Sequence, residues 1–312
     1  MLGPRARTAL LFVGIIALFV AVGGVLGDYL FGSFLAGLII ALSLSLVLNL
    51  VSYFFCDRFV LWANRAQLVT DAEAPRLAKI VRELAPQFGL VAPRLAIIPT
   101  QTPNAFATGR DERHAVVAAT EGILRLLNDR ELRGVLAHEL AHVKDRDILV
   151  MTFAATLAGA ISYAAQMVIF SSVFGGNNRN SNVNPIVLLI AAITAPIAAM
   201  LIQLAISRSR ESRADEVGAR TIQDPDSLAD ALGKLERGNS AMPLSTGSPS
   251  SSSLYIVNPF RGSTFASWFS THPPIEERIR RLRAMTRDYQ YRPTISTPRA
   301  PGLGGRFSGA TR

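Results

Sequence analysis

Cysteine is almost missing from this chain of 312 residues, because Cys56 is the only one. A disulfide within the chain is therefore excluded, and nothing in the cysteine content requires an oxidising compartment. No histidine lies near Cys56 in the sequence, which disfavours a histidine-activated thiol nucleophile. A buried, small apolar residue is the simpler interpretation of this position.

Charged residues are scarce in long blocks of the chain and dense between them, although 49% of all residues are hydrophobic. That fraction exceeds what one soluble core ordinarily needs, and the alternation of uncharged and charged blocks is typical of a membrane protein. The net charge of +9 could indicate nucleic-acid binding, but the arginines cluster beside apolar segments and in the C-terminal tail. No RNA- or DNA-binding motif accompanies them, so we expect no nucleic-acid partner and interpret the charge as membrane anchoring.

Four apolar stretches approach the length of about 20 residues with which a helix crosses a bilayer. They are residues 8–27, 30–55, 148–174 and 185–207. The first is long for a signal peptide and the second follows almost at once, so we interpret it as a retained anchor. Lysine and arginine flank the outer ends of each pair of spans, whereas the loops inside the pairs carry only Arg179. The N-terminus and the polar regions should therefore be cytoplasmic in a multi-pass protein of the cell inner or plasma membrane.

The polar region 58–147 should form the first part of an α+β domain, after an N-terminal membrane hairpin at 1–57. Residues 71–90 carry apolar side chains at helical spacing, and two β-prone stretches follow, "RLAIIP" and "HAVVAA". "NAFATG" between them is a candidate edge strand, because proline and glycine bound it. Asn128 and Glu131 form a capping box that should begin a helix of roughly 129–145.

A second membrane hairpin at 148–207 separates this region from the rest of the domain at 208–285. Within the latter, residues 238–253 are rich in serine, glycine and proline, and we expect a mobile segment that acts as a flap over a cleft. Order should resume where two prolines at 273 and 274 begin a helix. Residues 286–312 are expected to form a disordered basic tail.

The stretch "RGVLAHELAHVKDRD" places His138 and His142 four residues apart, hence on the same side of a helix. Such a pair can hold a zinc ion, and Glu139 can reach a water on that metal and take its proton. The H-E-x-x-H pattern indicates a metalloprotease. The alternative is an ordinary helix whose two histidines hydrogen-bond within a core.

A catalytic zinc site needs a third protein ligand, and "SRSRESRADEVGAR" offers one. Glu211 is a candidate ligand, and Asp215, one turn later, could orient a histidine from behind. An E-x-x-x-D pair in isolation is more often a solvated helix face. Here the intervening pair of apolar spans returns the chain to the same side of the membrane, which favours the metal site.

Four blocks, "PNAFATG", "AHELAHVKDRD", "SRSRESRADEVGA" and "FSTHPPIEERIRRL", resemble the HtpX family of membrane-bound zinc metallopeptidases, relatives of the CAAX prenyl proteases. The resemblance implies a multi-span α-helical membrane protein with a cytoplasmic gluzincin-type domain. One zinc ion would be held by His138, His142 and Glu211, with Glu139 as general base. Such proteases are implicated in degrading damaged or misassembled membrane proteins in the bilayer, alongside other quality-control proteases. Ser212 departs from the family pattern, which often has an aromatic residue there.

Further site residues follow from the same comparison. Asn104 and Ala105 would lie on the edge strand that aligns an extended substrate, unless this is an ordinary hairpin edge. His272 and Arg278 resemble positions near the zinc of the prenyl proteases and could stabilise the oxyanion, although His272 could instead cap a helix. Asp147 most simply caps the following helix or pairs with a nearby arginine.

Three functions are compatible with these patterns. The leading one is a zinc endopeptidase that cuts membrane proteins near the cytoplasmic surface, as part of quality control or a stress response. A CAAX prenyl endopeptidase would use the same chemistry, but those relatives resemble a seven-span chamber and this chain offers four spans. A catalytically silent, zinc-bound scaffold is disfavoured because Glu139 is intact.

Overall fold

The computed structural model describes residues 32–152, 208–242, 254–257 and 273–291, together with isolated positions between residues 13 and 28. Several predictions of the sequence fall outside the described residues: the span at 185–207, nearly all of those at 8–27 and 148–174, the segment 243–253, His272 and the tail from 292 onward. The described residues include helices and a sheet of the predicted catalytic domain.

The first long element is helix α1, Phe34–Ala63, which begins where the side chain of Ser33 accepts a hydrogen bond from the backbone of Ala36. It overlaps the predicted span at 30–55 and continues past its end. Many of its large apolar side chains are 45–75% exposed, among them those of Phe54, Leu50 and Trp62. Across the described residues, no helix combines the length and the sustained apolar character that crossing a membrane requires.

A four-stranded sheet with the order β1-β2-β4-β3 follows α1. Strand β2 pairs in parallel with β4, and the other two pairings are antiparallel. The strands are β1, Gln67–Val69; β2, Arg94–Ile98; β3, Ala105–Thr108; and β4, Val116–Thr120. The two β-prone stretches are therefore β2 and β4, and "NAFATG" is the edge strand β3, as predicted, whereas β1 was not predicted.

The helices that pack with this sheet are α2, Pro75–Leu84; α3, Glu121–Leu126; α4, Asp129–Lys144; α5, Arg208–Ile222; α6, Pro225–Ala241; and α7, Ile275–Tyr291. Short 3-10 turns occupy Ala85–Phe88 and Glu112–His114. The apolar face predicted at 71–90 is buried in the core. Helix α6 includes residues 238–241 and α7 includes residues 286–291, so the segment predicted to be mobile and the predicted tail both begin in helix.

Helix α4 lies at the centre of the domain and contacts α2, α5, α6 and β3. Its start follows the predicted capping box: the Asn128 side chain accepts a hydrogen bond from the Glu131 backbone at 2.9 Å, and the Glu131 carboxylate accepts one from the Asn128 backbone at 3.0 Å. Both bonds satisfy amides that a helix start otherwise leaves without partners. The mixed α and β content agrees with the predicted class, and α4 presents the H-E-x-x-H residues to the interior.

Candidate metal centre

Two histidines on α4 and one carboxylate on α5 converge in the buried core of the domain. The Nε2 atom of His138 lies 3.7 Å from Oε2 of Glu211, and Nε2 of His142 lies 3.4 Å from Oε1 of the same carboxylate. One ligand atom from each residue can be chosen such that all lie within 4.8 Å of one another. The structure thus brings together the three residues that were predicted as metal ligands.

The distances from the two histidines to Glu211 are compatible with a single metal site. Two ligand atoms bound to one tetrahedral zinc at about 2.0–2.1 Å are about 3.3 Å apart, close to the two observed separations. Two imidazole nitrogens and a carboxylate also form a ligand set typical of catalytic zinc, in which three protein ligands leave a further position for water or substrate. The residues present therefore fit the ion that the sequence predicted.

Asp215 and Arg278 form a buried ion pair on the side of His138 that faces away from Glu211. Nδ1 of His138 lies 2.9 Å from Oδ1 of Asp215. Arg278 donates two hydrogen bonds to the same carboxylate, from Nε at 2.9 Å and from Nη2 at 2.7 Å. A carboxylate behind a ligating histidine fixes the tautomer and the ring orientation, which is the role that the sequence suggests for Asp215.

The protonation states of His138 and Asp215 are those that metal binding by His138 requires. Burial lowers the pKa of His138 to about 4, and the opposing effect of Asp215 does not reverse this. Burial alone would raise the pKa of Asp215, but Arg278 and His138 hold it well below the usual range of a carboxyl group. His138 is therefore neutral and Asp215 is charged near neutral pH, as a metal-binding imidazole and its supporting carboxylate need to be.

In the metal-free protein the pKa of His142 is raised, in contrast to that of His138. Burial would lower its pKa, but the carboxylates of Glu211 and Asp147 raise it to about 10. A cation bound between His142 and Glu211 would replace that proton, because metal ligands must give up their protons on binding.

Glu139 is buried beside the two histidines and is anchored to the sheet. Its Oε2 atom accepts a hydrogen bond from the backbone amide of Ala107 in β3, at 2.8 Å. Burial raises the pKa of Glu139 to about 8, with His142 opposing this and Glu211 adding to it. A carboxylate of raised pKa next to a metal site has the proton affinity that a general base needs.

The predicted substrate residues are not open to a substrate in this structure. Asn104 and Ala105 are fully buried. The Asn104 side chain donates from Nδ2 to the Val257 carbonyl at 2.5 Å, and the backbone of Ile256 donates to the Ala105 carbonyl at 3.2 Å. The outer edge of β3 is thus bound by the chain itself, through the buried segment Leu254–Val257.

Arg278 also differs from its predicted environment. All three of its guanidinium nitrogens have acceptors, since Nη1 donates to the Ile256 carbonyl at 3.0 Å in addition to the two bonds to Asp215. These partners give Arg278 a supporting position behind His138. Asp147 pairs with Arg210, which matches the simpler expectation for that residue. Two contacts were not predicted at all, the Arg278–Asp215 pair and the Glu139–Ala107 hydrogen bond, because no local pattern indicates them.

A glycine on α5 allows the metal-ligating helices to approach closely. A Cβ atom at Gly218 would lie 3.0 Å from the backbone nitrogen of His138 and 3.1 Å from the backbone carbon of Ala137. Alanine at this position would have to push α5, and with it Glu211, away from α4. We expect Gly218→Ala to lower the free energy of unfolding by about 1–3 kcal/mol, as overpacking does, and to weaken zinc binding, measured by chemical denaturation and chelator competition.

Gly233 in α6 is the matched control for this change. Its added Cβ would meet only the ends of side chains, at 3.6 and 3.9 Å. Gly233→Ala should therefore stabilise the protein by up to about 1 kcal/mol through helix propensity and leave zinc affinity unchanged. Equal zinc affinity in both variants would contradict the role given to the close approach at Gly218.

This chain is similar to several known proteins. The sequence profile of Peptidase family M48 matches residues 71–286. The chain is 51% identical over 288 residues to a protein named Protease HtpX homolog from Syntrophobacter fumaroxidans, covering 91% of this chain and 100% of that protein. A protein of the same name from Pyrococcus furiosus is 49% identical over 283 residues, covering 90% of this chain and 96% of the relative. The crystal structure of S. mikatae Ste24p aligns with a TM-score of 0.45 and 18% identity, covering 89% of this chain and 64% of that one.

Proposed function

This chain belongs to peptidase family M48 and is a metalloprotease, and we propose that it is a zinc-dependent endopeptidase that cuts membrane proteins at or near the cytoplasmic face of the membrane. One observation carries the chemical part of the proposal. The ligand atoms of His138, His142 and Glu211 surround a single point in the core, and Glu139 follows His138 directly.

Each residue of the site has a distinct role in peptide hydrolysis. A zinc ion, when bound, would polarise the carbonyl of the peptide bond and lower the pKa of the attacking water. Glu139 takes the proton from that water as its oxygen bonds to the carbonyl carbon, and delivers a proton to the amine that leaves when the C–N bond breaks. Burial keeps His138 neutral, and Asp215, which is held by Arg278, keeps the imidazole correctly oriented.

Helix α1 supports the placement of this chemistry beside a membrane. Its surface includes many large apolar side chains that are about half exposed, such as Ile39, Val47 and Phe55, and exposed apolar surface often marks contact with a membrane or another protein. Lipid would cover this surface. The clustering of lysine and arginine next to the apolar stretches further supports a catalytic domain on the cytoplasmic side of the inner or plasma membrane. Quality control of damaged or misassembled membrane proteins is the cellular role that we propose.

The experiment compares three substrates on the full chain, purified in detergent and reconstituted into lipid vesicles. They are a loosely folded membrane protein, a prenylated CAAX peptide and an unfolded soluble protein, each with the chelator-treated enzyme as reference. We expect one zinc per chain by elemental analysis, and preferential cleavage of the membrane protein. Cleavage of the prenylated peptide alone would instead support a prenyl endopeptidase, and bound zinc without any cleavage would support a silent scaffold.

A further inference from the structure

We propose that Asp147 and Arg210 form a positioning pair that holds the His142 imidazole in the orientation required for metal ligation. This inference rests on the proposed zinc-dependent function and concerns residues other than the predicted ligands and the pair Asp215 and Arg278. It assigns His142 the same kind of support that Asp215 and Arg278 give to His138.

The pair lies directly behind His142. Oδ2 of Asp147 is 3.7 Å from Nδ1 of His142, the ring nitrogen that faces away from Glu211. The other oxygen, Oδ1, accepts a hydrogen bond from Nη1 of Arg210 at 3.1 Å. Asp147 is 4% exposed and Arg210 is 7% exposed, so this ion pair is shielded from water. Each histidine thus has an aspartate at its Nδ1 side, and each aspartate is held by a buried arginine.

The chain reverses direction between the end of α4 and Asp147. Helix α4 ends at Lys144, and Arg146 then has a φ of 59°, in the left-handed region that few residues other than glycine adopt. Had the helix continued, residue 147 would point about 140° away from the direction of His142, at 100° per residue. The reversal at Arg146 instead returns the chain so that Asp147 faces the imidazole.

Arg210 explains why a charged carboxylate is stable there. A buried carboxylate without a partner is costly. Arg210 immediately precedes the ligand Glu211 in α5, so the Arg210–Asp147 pair joins the two chain segments that carry His142 and Glu211. An anionic carboxylate behind an imidazole fixes its tautomer and makes it a stronger ligand, and loss of such support typically costs 10–100-fold in metal affinity.

A nearby ion pair offers a matched control. Asp145, two residues earlier in the same turn, pairs with Arg213 of α5 at 2.6 Å. This pair joins the same two elements, but Arg213 is 66% exposed along its side chain, at the surface of the domain. If the role of Asp147 were only to join α5 to this turn, the two aspartates would behave alike.

The test measures zinc affinity of the full chain by chelator competition, together with the melting temperature of the zinc-free protein. We expect Asp147→Asn to weaken zinc binding by about 10–100-fold and to change the visible absorption of the cobalt-substituted protein. Asp145→Asn should leave both unchanged. Zinc affinity of Asp147→Asn within threefold of the unmodified protein would overturn the proposal, whatever happens to the melting temperature.

A second substitution keeps the test decisive if Asp147→Asn does not fold. Arg210→Gln removes the charge that holds Asp147 and should also weaken zinc binding, whereas Arg210→Lys should restore part of the affinity. Equal affinities for the glutamine and lysine variants, both matching the unmodified protein, would contradict the pair's role. Failure of the unmodified chain to bind zinc would instead refute the proposed function, so the two failures are distinguishable.

Discussion

Replacing Glu139 by glutamine is expected to lower kcat by about 10²- to 10⁴-fold, the usual contribution of a general base, while zinc remains bound. Glutamine has nearly the same shape, and its amide oxygen can still accept the hydrogen bond from Ala107 that anchors residue 139 to β3. It cannot take a proton from water. The ligands His138, His142 and Glu211 are unchanged, so the metal content should be close to that of the unmodified protein.

The measurement follows cleavage of a membrane-protein substrate alongside zinc content by elemental analysis. Glu216→Gln serves as the control, since Glu216 lies on the same helix as Glu211 but forms a surface ion pair with Arg220. That variant should retain full activity. Near-normal cleavage by Glu139→Gln would show that another group accepts the proton, and loss of zinc from it would point to a ligand role for Glu139.

Replacing Arg278 by methionine should have the largest effect on stability, about 3–5 kcal/mol, because the change leaves a buried carboxylate without its partner. Arg278 is 1% exposed and makes two hydrogen bonds to Asp215. Methionine fills much of the volume but supplies no donor. Asp215 should then become protonated or pull away from His138, so zinc affinity should also decrease.

Denaturant unfolding of the purified protein, with and without zinc, measures both effects. Arg281→Met on the same helix is the control, because the Arg281 side chain is 54% exposed and its ion pair with Glu277 contributes little. The double variant Asp215→Asn, Arg278→Met should be more stable than the single Arg278→Met variant, since the unpaired charge is gone. A single variant that loses less than about 1 kcal/mol would contradict the importance of this ion pair.

Much of the site could be predicted because its chemistry lies in short segments. His138, Glu139 and His142 occupy one helical face, and the capping box at Asn128 fixes where that helix begins. Glu211 and Asp215 are likewise one turn apart on α5. Periodicity and capping act over a few residues, so a sequence pattern contains almost all the information needed for α4 and α5.

Contacts between distant segments could not be predicted in this way. Arg278 and Asp215 are 63 residues apart, and only the packing of α7 against α5 and α6 brings the guanidinium to the carboxylate rather than to the reacting carbonyl. The same applies to the amide of Ala107, which binds Glu139 across 32 residues. Strand β1 has only three residues, too few for an alternating pattern to be recognised.

Any peptide that pairs with the outer edge of β3 competes with the segment Leu254–Val257, which already binds that edge. A peptide that pairs with β3 by its main chain meets the carbonyl of Ala105 already bound by Ile256, and the side chain of Asn104 already bound by Val257. A peptide that pairs with β3 must therefore replace the hydrogen bonds that Ile256 and Val257 make to this edge.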